Sequence, residues 1–252
     1  MKHQQVIECP MAISDKDCRL LFFSKTLDVS FEKTVTLGRL KLNASRKCIE
    51  SCIDKHGYSS SLLNKLKPSN EFAEPLFEIL GASQVECIDY SNYERASVIH
   101  DMNLPVPVNL HSKFTALIDG GTIEHIFNFP VAIKNCMNLL EIWGHYIGIS
   151  PANNQLGHGF YQFSPELFFR VFSDQNGFRV KKVLVTPTEG GGWYEVADPA
   201  LVKSRVMLMN SQPLSLIVIA QKTEEKEIFI KAPQQSDYET TWQIASSLRH
   251  DE

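Results

Sequence analysis

Beyond residue 68, apolar runs of strand length alternate with amphipathic segments of helix length. Strands that alternate with helices along a chain usually pair in parallel, so the pattern predicts an α/β fold, a mostly parallel sheet with helices on both faces. The predicted strands are 85–89, 97–103, 114–121, 145–150, 178–186 and 214–222, and the predicted helices are 69–80, 128–140, one that begins at Ser164, and 199–209.

Residues 1–67 have a helical and irregular pattern instead. A helix is predicted over 43–55, because Asn43 can cap its first turn, apolar or cysteine side chains recur at helical spacing, and Gly57 follows its end. The segment 31–42 is compatible with a strand or with a loop. The pattern therefore divides the chain into an N-terminal flank or cap, residues 1–67, and a core, residues 68–252.

The composition is that of a globular protein, with 43% hydrophobic and 21% charged residues. A formal net charge of -4 and a pI near 6.1 give no basic surface for a polyanion, so nucleic acid is not an expected partner. The first residues lack the apolar region of a secretory signal, and the longest apolar run, 214–220, is about a third of the length that spans a bilayer. These features predict a cytoplasmic protein without a membrane span.

The six cysteines form no CxxC pair and no cluster with histidine at the spacing of zinc ligands. In a reducing compartment they are expected to be free, buried thiols. Cys48 and Cys52 are four residues apart on a predicted helix and can share a face, but a metal ion would need two further ligands. No metal site is predicted.

Polar residues follow several predicted strands in succession, and in open parallel sheets the ligand lies beyond the carboxyl ends of the strands. A carboxylate at the end of the second strand can accept both hydroxyls of a ribose. For any single aspartate the alternative is a solvated or helix-capping side chain. The candidate site consists of Asp89, Asp101 with Asn103, Asp119 with Gly120 and Gly121, and the loop 151–163.

These segments also carry a family resemblance. VECIDYS, SVIHDMN, FTALIDGGTIEHIFN and WGHYIGISPANN resemble the second to fifth strands of the class I S-adenosylmethionine-dependent methyltransferases, which have a Rossmann-like fold. The resemblance implies S-adenosylmethionine as the cofactor. It implies that Asp89 binds the ribose, that Asp101 contacts the adenine, and that Asp119 with Gly120 lies beside the methionine moiety. Glu124 and His125 match an "EH" pair that follows the fourth strand in the family.

Two longer segments, DGGTIEHIFNFP and ANNQLGHGFYQFSPELFFRVF, resemble an uncharacterised bacterial subgroup of methyltransferase-like proteins, some of them expected among genes for surface-glycan assembly. The resemblance covers about residues 69–182. It departs from the family at one point, because the segment ahead of the predicted helix at 69, GYSSSLLNKLKP, has no Gly-x-Gly loop to approach the cofactor.

For the chemical step, an oxygen or nitrogen acceptor has to lose a proton, and histidine is the side chain best suited to take it near neutral pH. The candidate catalytic residues are His125, His158 and Tyr161, where the glycines beside His158 allow an unusual backbone and Tyr161 can wall a pocket. A packing or backbone-bonded role for His125 is the alternative. The sequence contains no G-x-S-x-G elbow of a serine hydrolase and no phosphate-binding G-x-x-x-x-G-K-[ST] loop.

The leading hypothesis is therefore a methyltransferase that acts on a small-molecule or carbohydrate-like acceptor. One alternative is a silent member of the fold, kept as a binding or scaffold protein. Another is an enzyme that uses a different nucleotide, such as a nucleotide-sugar, in the same crevice. The oligomeric state is left open by the sequence.

Overall fold

The computed structural model describes residues 12–67 and 71–248. Single 3₁₀ segments lie at Ser60–Lys65, Val108–Leu110, Ile123–His125 and Asp174–Asn176. The helices and strands are, in chain order, β1 (Ala12–Ile13), α1 (Asp15–Lys25), β2 (Lys33–Leu37), β3 (Lys41–Leu42), α2 (Arg46–Lys55), α3 (Glu74–Ile79), β4 (Gln84–Asp89), β5 (Val98–Ile99), β6 (Phe114–Asp119), α4 (Phe129–Leu139), β7 (Leu140–Asn153), α5 (Pro165–Val171), β8 (Phe178–Pro187), β9 (Tyr194–Glu195), α6 (Pro199–Val202), β10 (Leu214–Lys222) and α7 (Ser236–Leu248).

Eight strands form one sheet in the order β5-β4-β2-β6-β7-β10-β8-β9. The four pairs from β5 to β7 are parallel, and the three pairs from β7 to β9 are antiparallel. The prediction of a mostly parallel α/β sheet is confirmed. The short strands β1 and β3 pair in parallel in a separate two-stranded sheet.

The undecided segment 31–42 contains a central strand of the main sheet. Its sequence Lys33–Leu37 alternates β-branched and apolar residues, and Thr34 to Leu37 are buried. The strand β2 pairs with β4 on one side and with β6 on the other. The predicted boundary at residues 67 and 68 therefore cuts through one sheet, since the N-terminal part supplies a strand that both neighbours need for their backbone hydrogen bonds.

Helices cover both faces of the sheet, as the pattern predicted. Because side chains alternate along a strand, Leu117 of β6 faces a core layer shared with α4 and α5, whereas Ala116 and Ile118 face a layer shared with α1, α2 and α3. None of the helices within residues 12–67 and 71–248 combines the length and the hydropathy needed to cross a bilayer.

Several boundaries differ from the prediction for local reasons. The helix predicted from Ser69 begins at Glu74, with Pro75 in its first turn, and Ser69 itself lies outside the described residues. The strand predicted over 97–103 is only Val98–Ile99, because the chain turns at Asp101. The helix predicted over 199–209 ends at Val202, since Lys203 adopts a left-handed conformation with φ of 52°.

A buried tyrosine connects two central strands. The hydroxyl of Tyr146 in β7 donates to Oδ2 of Asp119 at the end of β6, at 2.9 Å, and both residues are buried. The ring lies over Gly148, where an added Cβ would be 2.6 Å from its Cε1 atom. Burial raises the pKa of the Asp119 carboxyl, while hydrogen bonds from Thr122 N–H and the Tyr146 hydroxyl act in the opposite direction.

Replacing Tyr146 by Phe leaves the ring in place and removes one donor from the buried carboxyl group. We expect the free energy of unfolding to fall by about 1–3 kcal/mol, the usual cost of an unsatisfied buried polar group. Equilibrium urea unfolding measures it. The matched control is Tyr93→Phe, at a side chain 92% exposed, which should change stability by less than about 0.5 kcal/mol. Equal effects of the two variants would show that the bond to Asp119 contributes nothing.

Candidate active site at the carboxyl edge of the sheet

The order of the strands reverses between β2 and β6. The chain leaves β2 for β4 and β5 on one side and then returns to β6 and β7 on the other. Ligands of open α/β sheets bind beyond the carboxyl ends of the strands at such a reversal. Leu37 and Asp119, the last residues of β2 and β6, are partners in register. The crevice is therefore bounded by the segments that follow these two residues.

The loop after β2 contains one glycine, Gly38, with φ of 69° and an N–H that donates to the carbonyl of Ile88 at 2.8 Å. The sequence comparison places the cofactor loop just ahead of the helix predicted at 69, but the first strand of the main sheet is β2, so the loop to examine is the one that follows β2. Residues 57–67 hold a 3₁₀ turn, and the loop that follows the first parallel strand reads GRLKLN. It has a glycine at its first position but no Gly-x-Gly.

Leu40 of this loop lies in the crevice against Gly120. Its side chain is 2% exposed, and a Cβ added at Gly120 would be 2.8 Å from its Cδ2 atom. The absence of a side chain at Gly120 thus makes room for Leu40. The neighbouring Arg39 is held away from the crevice, because its Nε donates to Glu74 at 2.6 Å and its guanidinium group lies 3.9 Å from the centre of the Phe72 ring.

Asp89 ends β4 beside this loop, as predicted. The side chain is partly exposed, and its Oδ1 accepts the Ser91 N–H at 3.0 Å. Within the part of the chain that the structure describes, Oδ2 has no hydrogen-bond partner. One oxygen therefore shapes the turn after the strand, and the other makes no hydrogen bond within the described residues.

Asp101 and Asn103 form a turn that joins β5 to the start of α4. Oδ1 of Asp101 accepts the Asn103 N–H at 2.9 Å and its side-chain amide at 2.8 Å, and these bonds lower the pKa of the Asp101 carboxyl. Oδ1 of Asn103 in turn accepts the Asn128 N–H at 2.9 Å. Both side chains hold local structure at the predicted position, and their contact with an adenine stays a prediction.

Asp119 faces the interior instead of the crevice. Besides the Tyr146 hydroxyl, it accepts the N–H groups of Thr122 at 2.9 Å and Ile123 at 3.3 Å. The turn after β6 is therefore built around this carboxyl group. Gly120 and Gly121, with φ of 100° at Gly121, carry the chain past the crevice to the 3₁₀ segment Ile123–His125.

The 3₁₀ segment Ile123–His125 contains Glu124. In the sequence, Glu124 stands out only as the partner of His125 in an "EH" pair. Glu124 Oε1 lies 3.4 Å from His158 Nε2 and 3.9 Å from His125 Nε2, and the two imidazole rings are 5.2 Å apart. The glutamate side chain is 1% exposed, whereas His125 is 50% and His158 36% exposed. Burial, and next the nearby Asp119, raise the pKa of Glu124 to about 8. Burial lowers the pKa of His125.

The loop after β7 brings His158 to this glutamate, although 34 positions separate them in the sequence. The carbonyl of Glu124 accepts the N–H groups of Phe160 at 2.8 Å and Tyr161 at 3.2 Å. Gly159 makes this approach possible, because its φ is 72° and a Cβ there would be 2.9 Å from the Glu124 carbonyl oxygen. The predicted role of the glycines beside His158 thus has a specific geometric basis.

Tyr161, the third predicted catalytic residue, has its hydroxyl engaged in a different contact. It donates to the carbonyl of Phe127 at 2.6 Å, and its ring stacks on Phe163 with centroids 5.8 Å apart. The tyrosine fixes the loop after β7 to the segment after β6. In this position it supports the histidines, and direct contact with an acceptor stays a prediction.

A cavity of about 380 Å³ opens beside the cluster. It is lined by Gly120, Gly121 and Glu124 and by the two histidines. Further lining residues come from the N-terminal segment, Ser14, Lys16 and Asp17, from Asn43, and from Thr186 and Thr188 at and just after the end of β8. The cavity therefore lies beside the segment that follows β6, whereas Leu40 and Asp89 do not line it.

The described cysteines are buried and unpaired. Cys48 and Cys52 share a face of α2, as predicted, and the Cys18 sulfur of α1 lies within 4.8 Å of both. Burial raises the pKa of Cys48 to about 11 and that of Cys18 further. These thiols lie between helices, away from the cavity.

No protein-family model matches the chain, and no curated protein does. Among solved structures it is similar to 1,6-didemethyltoxoflavin-N1-methyltransferase of Burkholderia thailandensis, crystallised with 1,6-didemethyltoxoflavin and S-adenosylhomocysteine, at 11% identity over 83% of this chain and 78% of that chain, with a TM-score of 0.42. It is also similar to the trans-methyltransferase CalH in complex with S-adenosylhomocysteine, at 11% identity over 81% of this chain and 55% of that chain, TM-score 0.42. A third is the branched-chain polyamine synthase of Thermus thermophilus with N4-aminopropylspermidine and 5'-methylthioadenosine, at 10% identity over 88% of this chain and 60% of that chain, TM-score 0.40. The α/β fold itself follows from the strand order of the sheet.

Proposed function

We propose that the chain transfers the methyl group of S-adenosylmethionine to a small-molecule or carbohydrate-like acceptor. The observation that carries the proposal is the cavity beside the strand reversal, which is lined by Gly120 and Gly121, by two partly exposed histidines and by a buried glutamate. A binding crevice and ionisable groups for proton transfer thus meet at the edge where this class of sheet binds ligands.

The residues at this edge suit the ribose and methionine parts of the cofactor. Asp89 Oδ2 is available to a ribose hydroxyl, and the glycines at 120 and 121 let the backbone face the methionine moiety. Lys16 lines the cavity, and its Nζ donates to the carbonyls of Thr188 at 3.4 Å and Gly190 at 3.2 Å, so its charge has neutral partners there. That charge favours the carboxylate of the methionine moiety.

Bound S-adenosylmethionine supplies an electrophilic methyl carbon. An acceptor oxygen or nitrogen bonds to that carbon while the carbon–sulfur bond breaks and its electron pair stays on sulfur. The acceptor must also lose a proton, and the predicted bases His125 and His158 lie on the cavity wall for this step. Tyr161 holds the His158 loop in position.

An exposed aromatic pair near the histidine cluster supports a carbohydrate-like acceptor. Phe160 and Phe127 are 67% and 72% exposed, and their rings meet edge to face at 5.8 Å. Phe160 is bonded through its backbone to Glu124, so the pair lies directly beside the cluster. Large apolar side chains left exposed at a pocket typically mark a contact surface for a ligand, and a ring face suits the apolar face of a sugar.

The packing of Leu40 on Gly120 favours a second candidate, a fold retained as a binding or scaffold protein without the cofactor. The leucine occupies the crevice next to the backbone that the methionine moiety would approach. Under the methyltransferase proposal the Leu40 side chain has to turn aside when the cofactor binds. The two candidates therefore differ in the affinity of the wild-type chain for S-adenosylmethionine.

The first test is thermal-shift and calorimetric titration with S-adenosylhomocysteine, S-adenosylmethionine and a uridine-diphosphate sugar. Ligand at a hundred times its dissociation constant should stabilise the fold by about 2.7 kcal/mol. We expect Asp89→Ala to weaken S-adenosylhomocysteine binding about tenfold, equivalent to about 1.4 kcal/mol, since a hydrogen bond to a charged group is lost. Asp54→Ala, at an exposed position of α2, is the matched control.

The results distinguish the proposed methyltransferase from its two alternatives. A shift with S-adenosylhomocysteine that Asp89→Ala reduces supports the proposal, and equal affinity of the two variants removes Asp89 from the site. Stabilisation by the nucleotide-sugar alone supports the alternative of an enzyme that uses a nucleotide-sugar in this crevice. No response of the wild-type chain to millimolar concentrations of any of them supports the silent protein.

Leu40→Ala tests whether the leucine obstructs the crevice. We expect the dissociation constant for S-adenosylhomocysteine to fall about tenfold, while the loss of a buried side chain lowers the free energy of unfolding by about 2–5 kcal/mol. Calorimetry gives the first quantity and urea unfolding the second. Leu42→Ala in the same loop controls for general loosening. If both variants change the affinity alike, Leu40 has no specific part in closing the crevice.

A further inference from the structure

Three potential metal ligands from two loops meet at the cavity. The carboxylate of Glu124 and the imidazoles of His125 and His158 each present one ligand atom, and these atoms all lie within 4.8 Å of one another. Glutamate and histidine side chains both bind first-row divalent cations. Glu124 and His125 are adjacent, but His158 joins them only through the folded loop, so the sequence gives no recognisable ligand spacing.

The Glu124 carboxylate is poorly satisfied by the protein itself. Its Oε2 atom is buried and has no hydrogen-bond partner among the described residues. Its Oε1 atom faces the two imidazoles at 3.4 and 3.9 Å. A buried carboxyl group without partners is costly unless a positive charge or a donor compensates for it. A bound cation supplies that charge.

The distances fit a coordinated ion. With metal–nitrogen and metal–oxygen bonds of about 2.0–2.2 Å, neighbouring ligand atoms in a tetrahedral site lie about 3.3–3.5 Å apart. Glu124 Oε1 lies 3.4 Å from His158 Nε2, which is within this range. It lies 3.9 Å from His125 Nε2, which is slightly longer. His125 is half-exposed and can close the difference by a small rotation about its side-chain torsions.

We propose that Glu124, His125 and His158 form a binding site for a divalent first-row metal ion of the zinc, iron(II) or manganese(II) type. Three protein ligands leave at least one coordination position open toward the cavity, as in catalytic metal sites, whereas structural zinc sites have four protein ligands. The mixed nitrogen and oxygen donors do not suit copper(I), which prefers thiolates, or calcium, which prefers an all-oxygen shell.

The cation gives the cluster a role in the proposed reaction. An acceptor hydroxyl that enters the cavity beside a divalent ion has a lowered pKa, so it loses its proton to water more readily before it attacks the methyl carbon. In the metal-bound protein the imidazole nitrogens are ligands, and water takes the proton that the histidines are proposed to take in the metal-free protein. This role rests on the proposed methyl transfer, whereas the binding of the ion depends on the three side chains alone.

The buried thiols of Cys18, Cys48 and Cys52 are the competing site in the same chain, since their sulfur atoms also lie within 4.8 Å of one another. Cobalt(II) distinguishes the two. Bound by thiolates it gives an intense sulfur-to-metal charge-transfer band, and bound by imidazole and carboxylate it gives only weak visible bands. The two sites are therefore separable by spectroscopy and by substitution.

The experiment titrates the chelator-treated chain with cobalt(II) and zinc(II) in the absence of S-adenosylmethionine, and follows binding by near-ultraviolet and visible absorption and by calorimetry. We expect one ion per chain, and a loss of affinity of at least about tenfold in Glu124→Gln and His158→Ala, since removal of one of three ligands weakens a metal site strongly. His111→Ala, at a histidine near the start of β6, and Cys48→Ser should bind as the wild-type chain does.

Three outcomes overturn the site: no binding to the wild-type chain at millimolar ion, unchanged affinity in Glu124→Gln and His158→Ala, or a thiolate band that disappears in Cys48→Ser. Thermal unfolding confirms that each variant is folded. Because His125 is half-exposed, His125→Ala keeps the test valid if the other two variants do not fold. If the chain binds the ion but not S-adenosylhomocysteine, the metal site is supported and the proposed methyl transfer is refuted. If it binds S-adenosylhomocysteine but not the ion, the methyl transfer is still supported and the metal site is refuted.

Discussion

The carboxyl group of Asp119 lies at the end of the most buried strand, and the geometry of the candidate site depends on how it is satisfied. A fully buried carboxyl group needs several donors, and it obtains them from the Tyr146 hydroxyl and from the N–H groups of Thr122 and Ile123. The backbone donors force the chain into a tight turn immediately after the sheet. That turn places Glu124 under the cavity, and the Glu124 carbonyl in turn fixes the loop that carries His158.

Two residues of this region show how closely packing and site formation are coupled. Gly148 leaves room for the Tyr146 ring, and Gly120 leaves room for Leu40. In the first case the space is used to complete a hydrogen bond inside the protein. In the second it brings an apolar side chain into the crevice, where it competes with any ligand that approaches the same backbone. A glycine therefore permits a stabilising hydrogen bond at position 148, whereas at position 120 a glycine permits a leucine side chain to narrow the crevice.

The sequence predicted most of the parallel sheet because strands such as β6 are short apolar runs flanked by glycine and by polar turns. It did not resolve β2, whose threonines and flanking lysine resemble an exposed segment until the neighbouring strands bury them. The strand-end aspartates were found by their position, but the turn hydrogen bonds of Asp101 and Asp119 were not, since these bonds are made within the folded loops. The meeting of Glu124 with His158 depends on a left-handed glycine and on two backbone bonds, which residue spacing alone does not reveal.

The wall formed by the segment from Ala12 to Asp17 has a kinetic consequence. It is attached by the two-residue pairing of β1 with β3, by hydrogen bonds from Ser45 to the Asp15 carboxylate, and by the contacts of Lys16 with carbonyl groups at and just after the end of β8. A pairing this short has little cooperative stability of its own, so it opens more often than the main sheet does. We therefore expect substitutions in this small sheet, which touch neither the crevice nor the histidines, to change the residence time of a molecule in the cavity.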